Sequence, residues 1–351
     1  MRVDLFDFDL PPDRIALEPA RPRDAARLLH VSPAGVEDRF VRGLPSLLQP
    51  GDLLVTNDTK VIPAQLFGER TARIDGGGNA AVSIEATLHK ELGDHYWRAF
   101  VRPAKRLKTG DTVRFKSGLY ARVTRREGAE ADLKFEIADE TFEAVLSRAG
   151  VMPLPPYIAR KRPANETDSE NYQTIFANAL GSVAAPTAGL HFTPSLIEIL
   201  SGKGVQHLSI TLHVGAGTFL PVTAEETSEH KMHAEWGEIT ERQAAQINKT
   251  RRAGGRIVAV GTTSLRLIES AARDDGSVHP FSGETDIFIT PGYRFKSVDM
   301  LMTNFHLPRS TLFMLVCAFT GVETMKAAYA HAINNQYRFY SYGDACLLER
   351  N

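Results

Sequence analysis

One arrangement recurs between residues 182 and 307: a short apolar run breaks into a small cluster of Gly, Thr, His, Asn or Arg. The runs cover residues 182–192, 208–219, 256–266, 286–293 and 300–307. Apolar runs of this length, separated by helical patterns, predict buried strands of an α/β sheet. In such sheets a ligand sits in the crevice beyond the strand ends. Polar groups gathered there are better explained by a site than by folding, so an enzyme is the leading reading.

The rest of the composition narrows the class. The chain has 351 residues, 43% of them hydrophobic, enough for two domains with a large core. Cys317 and Cys346 are the two cysteines and support no disulfide framework, so both are expected reduced in a cytoplasmic protein. The first twenty residues include Asp4, Asp7, Asp9, Asp13 and Glu18 and lack a basic segment followed by an apolar one, unlike a signal peptide. No apolar run approaches the ~20 residues of a membrane span.

The formal net charge of −1 conceals a local excess. Residues 98–126 carry ten cations (Arg98, Arg102, Lys105, Arg106, Lys108, Arg114, Lys116, Arg122, Arg125 and Arg126) against one acid, Asp111. Such a stretch suits the phosphate backbone of a nucleic acid, although a solvated strand face has the same composition.

Residues 66–150 differ in style from the remainder. Short alternating runs at 81–88, 96–101, 112–115, 121–124 and 133–137, separated by turns, predict a small antiparallel β-barrel or sandwich holding the basic cluster. Phe142, Val145 and Leu146 mark a helix that closes it. A proline-set segment, 151–158, leads back to α/β patterning, with helices expected at 194–201, 240–252, 264–273, 310–320 and 323–334. The expected architecture is therefore one α/β domain, a mixed sheet with flanking helices, made of residues 1–65 and 151–351. A β domain, 66–150, is inserted in it.

Five motifs carry chemistry. Residues 256–266 read as strand, glycine turn and helix start, where Thr262, Thr263 and free backbone N–H groups suit a carboxylate or phosphate. Arg266, placed in the first helical turn, opposes the helix dipole and is expected to meet an anion. Gly215 and Gly217 fail the dinucleotide spacing but permit close backbone approach beside His213, which is either a core histidine or a site residue. Asn304 and His306 precede an apolar helix and suit the edge of a heterocycle. His230, His233 and Glu235 form an H-x-x-H-x-E cluster that, with His191, His213 and His306, is a weak candidate for a metal; hydrogen-bonding histidines are the better reading. The aromatic tail Tyr337, Phe339, Tyr340 and Tyr342 suits stacking on bases or covering a sulfonium, or simply the core.

As a set, residues 51–63, 152–158, 183–193, 211–219, 230–233, 259–266, 287–293, 303–308 and 337–344 resemble the S-adenosylmethionine:tRNA ribosyltransferase-isomerases of queuosine biosynthesis, in the family's order and over nearly the whole chain. Gln65 departs from a frequent Arg, and Cys317 and Cys346 stand where Ser and Met are common. The resemblance implies an α/β core with an inserted β-barrel. It also implies transfer and isomerisation of the ribosyl group of S-adenosylmethionine onto 7-aminomethyl-7-deazaguanine at the tRNA wobble position. Epoxyqueuosine-tRNA, adenine and methionine result. The partners implied are S-adenosylmethionine as co-substrate and a tRNA with a GUN anticodon; no metal, prosthetic group or membrane is implied, and a monomer is expected.

On that reading His213, His191 and His306 supply proton transfer, with His213 as base and His306 as adenine-side donor. Thr187, Gly189, Gly215, Gly217, Thr262, Thr263, Arg266, Tyr293 and Asn304 bind substrate, Arg266 taking the methionine carboxylate or a phosphate. Asn57, Lys60, Arg102, Lys105 and Arg106 meet the tRNA. The rival readings are a non-catalytic RNA-binding protein and a His-ligated metal-dependent hydrolase.

Overall fold

A computed structural model describes residues 1–73, 80–159, 161–162, 167–215 and 222–350. Its largest layer is a nine-stranded mixed sheet. In spatial order the strands are Phe281–Thr285, Glu235–Ile239, Gln206–Leu212, Leu53–Asn57, Ile257–Val260, Met300–Asn304, Ala345–Glu349, Arg27–Ser32 and Gly35–Phe40. The four from Gln206–Leu212 to Met300–Asn304 are mutually parallel; the flanking pairings are antiparallel except for the parallel pair Ala345–Glu349 and Arg27–Ser32.

Both faces of the central strands are covered, which is why they appear as unbroken apolar runs. Leu53, Val55, Ile257, Ala259 and Leu301 pack on one face against the helices Thr262–Ala271, Thr311–Thr320 and Val322–Asn334. Leu54, Val258, Val260, Met300 and Met302 alternate onto the other face, with the helix Pro194–Gly202. Thr193, Thr240 and Ser310 cap their helices by accepting backbone N–H groups; Thr240 and Gln243 form a complete capping box.

The second unit is a closed six-stranded antiparallel barrel. Its strands are Gln65–Arg70, Val82–Gly93, Tyr96–Arg102, Glu130–Glu136, Tyr120–Glu127 and Thr112–Phe115, the last pairing back onto the first. Alternate residues such as Ile84, Ala86, Leu88, Trp97, Ala99 and Val101 fill it, and Val145, Leu146 and Ala149 of the helix Phe142–Ala149 close one end. The chain leaves and re-enters the core at one point, where Gly150 and Val151 pair with Leu66 and Gln65. Gly150 has no room for a side chain there, since a Cβ would lie 2.0 Å from the Pro63 carbonyl.

Two expected strands differ. Residues 182–192 contain only the end of a short strand, Ala179–Ser182, and then the 3₁₀ turn Thr187–His191. Pro186, lacking an N–H, cannot sit in a ladder and begins that turn. Residues 286–293 are irregular; the strand lies just before them at Phe281–Thr285, an edge strand whose exposed Ser282 and Glu284 hide it from an apolar search.

Candidate active site

At the carboxyl ends of Ile257–Val260 and Met300–Asn304 lies a hollow lined by Thr187, Thr262, Thr263, Arg266, Asn304 and His306, with the rings of Tyr172, Phe305 and Tyr340. No side chain caps the helix Thr262–Ala271, whose N-cap is Gly261. Its first N–H groups are therefore available, and they carry the positive end of the helix dipole. The helix starts at Thr262 rather than Ser264, so Arg266 sits beyond its first turn, and the dipole does not act on it as the sequence suggested.

Arg266 does meet an anion. Its Nη1 donates to Glu235 Oε2 at 2.5 Å and its Nε to the Ile287 carbonyl at 3.3 Å. The Arg266 and Glu235 side chains are only 6% and 5% exposed. Nη2 of Arg266 has no hydrogen-bond partner among the described residues. A buried guanidinium N–H without an acceptor is costly unless a ligand supplies one. The other oxygen of Glu235 accepts the backbone N–H of Gly215 at 3.0 Å.

Asn304 anchors the opposite wall. Its carbonyl accepts the Thr187 hydroxyl at 2.9 Å, and its amide donates to His191 Nε2 at 3.0 Å. That bond makes Nε2 the acceptor and leaves the proton of neutral His191 on Nδ1. Burial, helped by Arg23 and Arg338, brings the His191 pKa down to about 3, and burial alone brings His306 to about 3. His306 contacts Thr303 Oγ1 at 3.0 Å. His191 lies behind Asn304 and lines no part of the hollow.

His213 stands just past the strand Gln206–Leu212, in a wider cleft between core and barrel that shares the wall residue Val214 with the hollow. Its Nδ1 is 2.8 Å from Thr59 Oγ1, and its ring stacks on Trp236 at 5.3 Å and 21°. Burial lowers its pKa, partly opposed by Asp58. Gly181, at φ +140°, makes room for this ring: a Cβ would sit 2.9 Å from His213 Cε1. The four residues His191, His213, Arg266 and His306 thus occupy two adjoining spaces and their wall rather than one.

Other expected positions fall elsewhere. Asn57 is buried rather than presented at the surface: it is 2% exposed, its carbonyl accepts the N–H groups of Thr59 and Leu212, and its amide donates to the Leu212 carbonyl. Tyr293 lines neither space and donates its hydroxyl to Glu269 at 3.2 Å. Gly189 is packed against Thr174, inside the 3₁₀ turn. Gly215 lines the cleft, whereas Gly217 lies outside the described residues.

No group of three or more His, Cys, Asp or Glu side chains converges as metal ligands among the described residues. Glu235 of the H-x-x-H-x-E cluster is engaged by Arg266, and His230 packs against Phe288 at 5.3 Å.

Lys60, Arg102, Lys105 and Arg106 are exposed and form no ion pair among the described residues. Arg98 and Arg125 of the same basic stretch are paired, with Asp132 and Glu127. Both cysteines are buried and free, and burial raises their thiol pKa values, to about 12 for Cys317. No single helix among the described residues is long and apolar enough to cross a membrane.

A family model described as queuosine biosynthesis protein matches residues 3–348. The chain belongs to the queuosine biosynthesis protein family. Curated members similar to it are the S-adenosylmethionine:tRNA ribosyltransferase-isomerases of Methylocella silvestris (61% identical over 99% of this chain and 98% of the relative) and Parvibaculum lavamentivorans (61%, 99% of each chain). A third, from Sphingopyxis alaskensis, is 62% identical over 99% of this chain and 97% of the relative. Among solved members of the family, S-adenosylmethionine tRNA ribosyltransferase from Thermotoga maritima is 38% identical, with a TM-score of 0.55 over 98% of this chain and 99% of its own. The α/β core with an inserted barrel expected from the motifs is thus the family's fold.

Sequence reasoning passed over Glu235 as the partner of Arg266, and His89, Phe100 and Trp236 in the cleft. The signal for Glu235 was present in its H-x-x-H-x-E cluster; the three rings sit in alternating, half-exposed strands that carry no motif.

Proposed function

We propose that this chain transfers and isomerises the ribosyl group of S-adenosylmethionine onto 7-aminomethyl-7-deazaguanine at the wobble position of a GUN-anticodon tRNA. It forms epoxyqueuosine-tRNA and releases adenine and methionine, acting as a cytoplasmic monomer without a metal. The observation that carries this reading is the buried Nη2 of Arg266, unpartnered among the described residues, beside an uncapped helix start. Together they offer a carboxylate both a charge-assisted hydrogen bond and the positive end of a helix.

With the methionine carboxylate on Arg266, Thr262 and Thr263, the rings of Phe305 and Tyr340 are available to the sulfonium cation. Thr187 and Asn304 suit the adenine edge. The hollow encloses about 70 Å³, far less than a usual ligand cleft of roughly 300–1,000 Å³, so co-substrate binding must widen it.

The sulfonium makes the ribose C5′ proton acidic. Neutral His213, across the shared Val214 wall, accepts that proton. The C5′ electron pair forms a C4′=C5′ double bond as the C4′–O4′ bond breaks, and the freed oxygen becomes the C1′ carbonyl as adenine leaves with its bonding pair. Adenine takes a proton from solvent while neutral His306 offers it a ring N–H hydrogen bond. The aminomethyl nitrogen, once its ammonium proton has been lost, adds to C4′ and returns the electron pair to C5′. C5′ then bonds to the C1′ carbonyl carbon, and the C1′ alkoxide closes the epoxide on C5′ as the S–C5′ bond breaks and methionine departs. A well-placed acid or base contributes about 10²–10⁴-fold. Lys60, Arg102, Lys105 and Arg106 carry the tRNA backbone.

Incubation with S-adenosylmethionine and tRNA bearing the precursor base tests the reading directly. Stoichiometric adenine release is expected. RNA binding without any adenine would instead favour a non-catalytic RNA-binding protein.

A further inference from the structure

We infer that the cleft between barrel and core is the pocket for the flipped-out wobble base, a guanine-type heterocycle with a cationic arm held between two aromatic shelves. This rests on the reading above that RNA is the second substrate.

The cleft encloses about 570 Å³, ample for a nucleotide. On the core side His213 and Trp236 stack. On the barrel side His89 and Phe100 stack at 4.3 Å and 22°. All four rings line the same space. Trp236 is 38% exposed, an apolar surface that folding alone leaves uncovered. A splayed RNA base is bound by stacking on such rings, and its backbone by cations nearby. The cations are placed for it: Arg98, Phe100 and Arg102 alternate onto one outward face of the strand Tyr96–Arg102, so this row runs from the cleft to the exposed basic surface.

The polar rim favours a donor-rich edge. Glu91, Glu130 and Glu235 all line the cleft. A guanine edge presents N1–H and N2–H donors, and an aminomethyl arm adds an ammonium; carboxylates accept from both. An adenine edge offers fewer donors to the same acceptors. The wall residue Val214, shared with the hollow, sets the arm of a base in this cleft next to the sugar that it attacks.

Of the chain's two tryptophans, Trp236 presents an exposed indole to the cleft, whereas Trp97 packs inside the barrel, so intrinsic fluorescence reports the cleft's occupancy through Trp236. The probe is an anticodon stem-loop carrying the precursor base, titrated into the intact protein, with the adenine-substituted stem-loop as control. Quenching by the first and much weaker quenching by the second are expected. Trp236→Ala should raise KM for the precursor RNA by roughly tenfold or more, and leave the Kd for S-adenosylmethionine unchanged. Trp236→Phe should restore most of the loss. Phe100→Leu, on the other shelf, should act in the same direction and guards against a folding defect at Trp236.

An unchanged KM in both shelf variants, or an equal loss of S-adenosylmethionine affinity, overturns the assignment. Adenine release by the wild-type protein with this RNA is measured first. Its absence would instead overturn the function, and this inference with it.

Discussion

Glu235 and Arg266 form a buried ion pair at 2.5 Å that stands between the two spaces of the site. Arg266 faces the hollow at the strand ends and Glu235 faces the cleft toward the barrel. Through its second oxygen Glu235 also holds the Gly215 N–H, so one carboxylate fixes both the guanidinium and the backbone at Gly215.

Removing either member should have different consequences. Glu235→Ala leaves a guanidinium uncompensated and should destabilise the fold by about 3–5 kcal/mol. Arg266→Lys, retaining charge but not the forked donors, should weaken S-adenosylmethionine binding about tenfold. Thermal unfolding and calorimetric titration measure the two. Unaltered co-substrate affinity in Arg266→Lys would remove Arg266 from the carboxylate site.

His213→Ala should lower adenine release by about 10²–10⁴-fold, with S-adenosylmethionine affinity nearly unchanged. The neutral ring is the active form. Because burial lowers its pKa, the acidic limb of the rate profile for the free enzyme should fall below the ordinary histidine value of about 6.5. A limb at or above that value would assign the base elsewhere.

Gly181→Ala probes the same ring by crowding. At φ +140° and 2.9 Å from His213, the added methyl must displace the imidazole. Turnover should drop well over tenfold while S-adenosylmethionine still binds at Arg266. Wild-type turnover in this variant would show that the position of the ring is immaterial.

The cationic surface is tested by salt. Replacing Arg102, Lys105 and Arg106 together by Ala should reduce the slope of log affinity against log salt by about 0.7 for each single-strand phosphate that is no longer neutralised. A slope equal to that of the wild type would make these side chains bystanders.

His191 and His306 connect the site to acid stability. Their folded pKa values, about 3, lie below the unfolded value near 6.5. As pH falls below 6.5 the unfolded chain takes up protons that the folded one refuses, so stability present above 6.5 is progressively lost down to about pH 3. Each histidine contributes at most about 1.4 kcal/mol per pH unit in that window. Denaturant unfolding of His306→Asn across pH 7 to 4 should show a shallower loss than the wild type. An identical dependence would mean that His306 does not resist protonation.

Much of this arrangement was legible in the chain itself. Polar clusters at the ends of apolar runs located Thr187, Thr262, Thr263, Arg266, Asn304 and His306, because a parallel sheet covered on both faces forces continuous apolar strands and leaves polarity for their ends. Asn57 sits at such an end too, yet its amide brackets neighbouring backbone, a role composition does not distinguish from ligand binding. The cleft was hidden for a different reason. Its walls come from antiparallel strands, where His89, Phe100 and Trp236 alternate with residues of the opposite face, and only the docking of barrel on core brings them together.

The pairing of Gly150 and Val151 with Leu66 and Gln65 stitches the two crossings of the inserted barrel into a single stalk. Eighty-odd residues therefore hang from the core by adjacent threads. Such a module can be lengthened, reshaped or grafted between relatives without re-routing the sheet that holds the chemistry.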